Sequence, residues 1–317
     1  MRKAFLLGVF LLLFTAVAGL VHAQEMDLET ALGFFDEDDN VMLPYSDEGK
    51  ATLEEMIDAF KTALGVPGGL NELSEDDVGA FEVSVELKHV MNKLSQAYYT
   101  LANVFLSEPE DEEIYIKGKN WGFGSLRKND GFDDLRGGRF DDSVARETDY
   151  QALYWANSCW LREAEKDVKK AVLGGIPKKS RMINDRLVEI APTYMAGGVY
   201  RAYGAFWSGL PGDIFTRTLI GMGQDLDLAL FYLCHLVDQP DICADCDVEE
   251  RIEGAREYFE NRTFFAEFYL MAKKMWSEAA AVLQSVIDDP IGDKYPLMNA
   301  YAQENARQLL EEVNENL

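Results

Sequence analysis

Cys243-Ala244-Asp245-Cys246 is a C-x-x-C, and Cys234 and His235 lie a few residues upstream. Three chemistries use such a group. A dithiol redox centre needs a thioredoxin-like βαβ setting, and no such pattern surrounds these residues. Structural zinc needs four ligands, and the adjacent Cys234 and His235 would point in different directions on a helix. A structural disulfide among Cys234, Cys243 and Cys246 needs neither and is the favoured reading. Cys159 is expected to be a buried small apolar residue.

Other reactive constellations are poorly supplied. The histidines are His22, His89 and His235, which leaves little for a Ser-His-Asp or Cys-His arrangement. There is no G-x-S-x-G, no H-E-x-x-H and no phosphate-cradling glycine loop. Asp36, Asp38 and Asn40 alternate like the first ligands of an EF-hand. The sixth place is Val41 instead of glycine, Pro44 falls inside the loop, and the twelfth place is Asp47. A solvated loop is expected there. No catalytic residue, metal or cofactor is assigned. The abundant carboxylates keep one enzyme class as an alternative, a carbohydrate-active α/α toroid with two acids across an aromatic cleft.

The aromatic residues concentrate in DYQALYWANSCW, Asp149 to Trp160. Leu153, Ala156, Trp160, Ala164, Val168 and Ala171 follow a helical rhythm, and Tyr154, Ser158 and Leu161 lie one residue round. Trp160 therefore belongs to a core stripe. Tyr154 and Trp155 are the better candidates for lining a cavity. Their O–H and N–H tips need partners when buried, as does that of Trp121. Asn157 is polar where its helix is otherwise apolar. Asn103 and Asn299 also sit among apolar residues, where bridging neighbouring helices comes before ligand contact as an explanation.

Such side chains need elements to hold them, and the elements are helices. Leu53, Met56, Ile57, Phe60 and Leu64 make one face of a helix closed by Gly65 and Pro67. Leu87, Val90, Leu94, Tyr98, Leu101 and Phe105 make another, ended near Pro109. Similar stripes recur to the end of the chain, broken at Gly174-Gly175, Pro192, Pro211, Pro240 and Pro290. Lys128 to Thr148 reads as a loop, and the pattern from Ile252 to Ala272 reads as one helix. Alternating runs are scarce. The fold class is all-α, a helical-hairpin solenoid with degenerate tetratricopeptide-like repeats.

Thirty basic residues against 56 acidic ones give a net charge of −26, which repels phosphate backbones and disfavours nucleic acid as a partner. Arg2 and Lys3 precede the apolar run from Ala4 to Val21, and Val21-His22-Ala23 follows. This is the grammar of a cleavable signal peptide over residues 1–23, cut after Ala23. No cysteine adjoins the cut, so a lipoprotein is not expected. The expected organisation is an acidic N-terminal extension with one amphipathic helix over residues 24–80, then an all-α domain over residues 81–317.

Several patterns in order resemble one family. They are Tyr98-Tyr99-x-x-Ala102-Asn103, Tyr115-x-Lys117-Gly118, and Asp149-x-x-Ala152-Leu153-Tyr154-Trp155-Ala156 with Trp160. Further on come Ala255-Arg256-Glu257-Tyr258-Phe259-Glu260, Phe264 to Lys273, Asn299-Ala300-Tyr301-Ala302 and Ala306-x-x-Leu309-Leu310. Together they are similar to the T-component (TatT-like) proteins of tripartite ATP-independent periplasmic (TRAP) transporters. The resemblance implies a non-catalytic periplasmic protein of tetratricopeptide-like fold. It would bind a small apolar or organic-acid ligand and the extracytoplasmic solute-binding subunit. Members are often lipoproteins, a departure here, and the region from Gly209 to Gly254 also differs. The residues expected to face ligand or partner are Tyr98, Asn103, Trp121, Tyr154, Trp155, Asn157 and Asn299. A homo-oligomer stays open. A generic tetratricopeptide scaffold of the envelope is the remaining alternative.

Overall fold

The computed structural model describes residues 26–66, 73–130, 132, 139–213, 217–218, 220–246, 248 and 251–317. The expected signal peptide lies outside them. The described residues form an all-α fold of packed helical hairpins and contain no strand. One isolated antiparallel bridge joins Phe35 and Val41. No described helix is long and apolar enough to cross a membrane.

The N-terminal segment carries α1 (Leu28–Leu32), α2 (Asp47–Ala63) and α3 (Glu75–Ala80). Only α2 has the apolar periodicity that sequence reading detects; the others are single turns or little more, started by Asp27 and Ser74 caps. Next come α4 (Lys88–Thr100), α5 (Glu110–Leu126), α6 (Phe140–Arg146) and α7 (Tyr150–Lys166). Helix α4 runs on through a π-helical turn, Leu101–Phe105. Helix α6 lies inside the segment that reads as a loop. Phe140 and Val144 anchor it in the core, and two apolar contacts are too few to show as a period.

Asp149 starts α7 by accepting the Ala152 N–H at 3.0 Å. The same carboxylate takes Nδ2 of Asn92 at 3.0 Å, which ties the cap to α4. Helix α5 seats against α7 through small residues. A Cβ at Gly122 would lie 2.7 Å from Ala156, and one at Gly118 would meet Sγ of Cys159 at 2.6 Å. The backbones can approach this closely only without those carbons.

The second half holds α8 (Val168–Leu173), α9 (Ile176–Ile190), α10 (Tyr194–Gly209) and α11 (Leu226–Leu233). It ends with α12 (Glu260–Phe265), α13 (Trp276–Asp288) and α14 (Pro296–Asn316). Helix α12 continues through a second π-helical turn, Ala266–Met271. The stretch from Ile252 is not the single helix its apolar pattern suggests. A short 3-10 turn, Ala255–Glu257, ends at Tyr258, whose backbone is extended. The Asn299 side chain accepts the Phe259 N–H at 3.0 Å and donates to the Glu257 carbonyl at 2.9 Å. Those bonds replace the helical ones at the break.

Two apolar clusters result. One gathers α7, α9, α10, α11, α13 and α14. The other joins α2 and α4 to Tyr258, Tyr295, Leu297 and Met298 from the far end of the chain.

Candidate functional site

A cavity of about 140 Å³ opens where the two clusters meet. That is below the usual size of drug-sized sites, roughly 300–1,000 Å³, and suits a small or slender molecule. Helix α7 supplies its floor. Tyr154, Ser158, Leu161, Arg162 and Glu165 recur along one face of that helix and all line the space. Apolar walls come from Val168 and Val172 on α8, Ile176 on α9, and Phe206, Leu210 and Pro211 at the end of α10. Val41 from the N-terminal loop and Met298 from α14 close the far side.

Polar groups gather on one stretch of the wall. Arg201 is 5% exposed and Glu260 7%, with Nε and Oε2 3.5 Å apart. Nη1 of Arg201 also donates to the Met195 carbonyl at 2.9 Å and to Oδ1 of Asn261 at 2.7 Å. Its guanidinium lies 4.3 Å from the Tyr258 ring centroid. These bonds brace an unusual turn, since Met195, Ala196 and Gly197 all have left-handed backbones with φ of 52°, 52° and 83°. For the first two that conformation costs roughly 1–2 kcal/mol per residue. Arg201 and Asn261 hold it, because Asn261 also donates to the Ala196 carbonyl at 3.0 Å.

Arg162 is the second cation. Nη1 meets Oε2 of Glu165 at 3.1 Å and Nη2 meets Oδ1 of Asn103 at 3.1 Å. The two carboxylates on the cavity, Glu165 and Glu260, are thus each tied to an arginine. Burial pushes up the phenols of Tyr99, Tyr154 and Tyr258, so they stay protonated donors around these guanidiniums. Burial also raises the Glu267 carboxyl to about 7, against the pull of Arg162 and with help from Glu165, Glu312 and Glu260.

The residues singled out in the sequence divide. Tyr154 and Trp155 line the cavity. Trp155 donates its indole N–H to the Tyr194 hydroxyl at 3.0 Å and packs 4.8 Å from the Tyr154 ring. Trp160 is core, edge-on to Phe123 at 5.3 Å. Trp121 and Tyr98 belong to the second apolar cluster and do not line the cavity. Trp121 meets Phe81 edge-on at 6.5 Å. Asn157 donates to Oδ1 of Asn184 at 2.8 Å and joins α7 to α9. Asn299 is occupied by the backbone break described above. Asn103 meets Arg162 on a polar hollow beside the cavity. Cys234 and Cys243 form a disulfide; Cys246 is a half-buried free thiol and Cys159 a fully buried one.

The expected site residues leave out Tyr99, Arg162, Arg201, Tyr258 and Glu260, although Tyr99, Tyr258 and Glu260 stand in the patterns that carry the resemblance. For Arg162 and Glu165 the signal is present, because both continue the Tyr154–Ser158–Leu161 face. The Asp36–Asn40 loop is also no simple solvated loop. Asp36 accepts Nδ2 of Asn40 at 2.9 Å, and Asp39 reaches inward to Nζ of Lys93 at 2.5 Å and to Gln151.

No family model matches the chain, and no curated protein matches it significantly in sequence.

Proposed function

We propose that this chain is a non-catalytic, exported binding protein that holds a small apolar or organic-acid molecule in the cavity between α7, α8 and α10. In this reading it works beside the extracytoplasmic solute-binding subunit of a TRAP transporter. The observation that carries the ligand half is the cavity itself, with apolar walls and a few buried polar groups that have fixed partners. This is the usual make-up of a small-molecule site. The transporter half rests on the ordered resemblance to T-component proteins, and export rests on the grammar of residues 1–23. Glu165 and Glu260 each face an arginine, so neither stands as an unpaired acid across a groove. That favours binding over glycan cleavage.

The test has two arms. Uptake of the neutral dye N-phenyl-1-naphthylamine reads the cavity. Ala205→Trp should abolish it, because Ala205 lines the space and is only partly buried. Unchanged dye binding in that variant refutes the site. Capture of the native protein from envelope extract reads the partner. Recovery of an extracytoplasmic solute-binding protein supports the transporter role, and its absence confines the function to ligand binding.

A further inference from the structure

Arg162 borders two spaces. One is the apolar cavity; the other is a polar hollow of about 300 Å³ that shares Arg162 and Glu165 with it and is lined also by Asn103, Asp111, Tyr115 and Tyr301. Asn103 is 7% exposed. Its Oδ1 is engaged by Arg162 and by the Tyr115 hydroxyl at 3.4 Å, so the amide orientation is fixed. Its Nδ2 has no partner. A buried amide donor left unsatisfied costs roughly 1–3 kcal/mol, so an acceptor admitted beside Arg162 would be drawn to it.

We infer that Arg162 and Asn103 form a head-group site for a monocarboxylate amphiphile whose hydrocarbon chain lies in the cavity. This rests on the cavity being a ligand site and names the class of ligand. The two arginines differ in what they have to spare. Arg201 is spent on Met195, Asn261 and Glu260, and losing those bonds would release the left-handed turn. The Arg162 side chain keeps 26% of its surface accessible, and its acidic partner Glu165 is 54% exposed. An exposed ion pair contributes little, roughly 0–1 kcal/mol. A ligand carboxylate can therefore take the place of Glu165, which swings out to water. The other acids of the hollow are engaged elsewhere, since Glu108 and Asp111 lie 2.7 and 2.8 Å from Nζ of Lys166. The incoming carboxylate gains a charge-assisted bond from the guanidinium and the idle amide donor of Asn103. The chain leaves Arg162 along Leu161, Val168 and Val172.

Decanoate and decanol, competed against N-phenyl-1-naphthylamine on the purified protein, separate head from tail. The wild type should bind decanoate about tenfold or more tighter than decanol. Arg162→Gln should bring the two within about twofold, chiefly by weakening decanoate. Glu165→Gln alters an exposed side chain and should tighten decanoate about threefold or more, because no carboxylate then competes for Arg162. Equal binding of acid and alcohol by the wild type overturns the head-group site and leaves the cavity reading standing. So does a Glu165→Gln variant with unchanged decanoate affinity. If Arg162→Gln does not fold, the Glu165→Gln comparison still decides. Failure of dye, acid and alcohol alike overturns the cavity reading and this inference with it.

Discussion

The indole N–H of Trp155 and the hydroxyl of Tyr194 are 3.0 Å apart, and that bond joins a cavity wall to the start of α10 and, through Asp39, to the N-terminal loop. The Tyr194 phenol is pushed well up by burial, with a further push from Asp39, to which it is also hydrogen-bonded. Asp39 in turn takes the ammonium of Lys93 and the amide of Gln151, and its carbonyl accepts Nε2 of Gln96 at 2.6 Å.

Tyr194→Phe should cost about 1–3 kcal/mol, because it removes the acceptor of the Trp155 indole N–H. Urea denaturation measures the loss. Dye binding should persist, since Tyr194 itself does not line the cavity. A neutral effect on stability would mean that the chain between Asp39 and Trp155 is not closed.

Gly197→Ala should destabilise by about 2 kcal/mol or more, through its positive φ and crowding. The added carbon would stand 2.5 Å from Cδ2 of Leu236. Ala196→Gly should do the opposite and gain about 0.5–1 kcal/mol, because the left-handed backbone then carries no Cβ penalty. Paired denaturation curves at one pH check both signs. A stabilising Gly197→Ala would contradict the turn.

Glu267 predicts a pH dependence with a definite sign. Its carboxyl is raised from 4.5 to about 7 in the fold. As pH rises through that window the unfolded chain releases its proton and the folded one retains it. The folded state therefore loses stability with rising pH from this group, by at most about 3 kcal/mol and less after solvent relaxation. Glu267→Gln should remain flat across the same window. The quantity to compare is the difference in melting temperature between pH 5 and pH 8 for the two proteins.

Alkylation of the folded, non-reduced protein should label Cys246 and spare Cys159, because only Cys246 is half-exposed. Reduction should then cost about 2–3 kcal/mol, the chain-entropy value for a loop of this length. The Cys234–Cys243 bridge spans nine residues. Peptide mass spectrometry before and after denaturation reads the labels.

The helices were legible where apolar residues repeat over three turns or more, as in α2, α4 and α7. The face of α7 was legible too, down to the different environments of Trp155 and Trp160. The arginines were not. A charge on a helix surface reads as solvated unless its neighbours on every side are known, and those of Arg201 come from Met195, Tyr258, Glu260 and Asn261. Asp39 was hidden for the same reason, since Lys93 and Gln151 lie far along the chain. Helix α6 and the break at Tyr258 escaped because one is too short to show a period and the other is made by a side chain from α14.

The second apolar cluster has a consequence for the order of events in folding. Tyr45 rests against both Phe105 and Tyr301, and Leu53 and Phe60 share their cluster with Leu297 and Met298. The first described residues therefore find part of their seat only after the last helix has been synthesised. A growing chain can dock α2 on α4 early, but Val41 meets Met298 across the cavity only at the end. Closing so long a loop is slow compared with forming the hairpins it encloses. The ribosome releases this protein with the cavity still open on the side that Val41 and Met298 line.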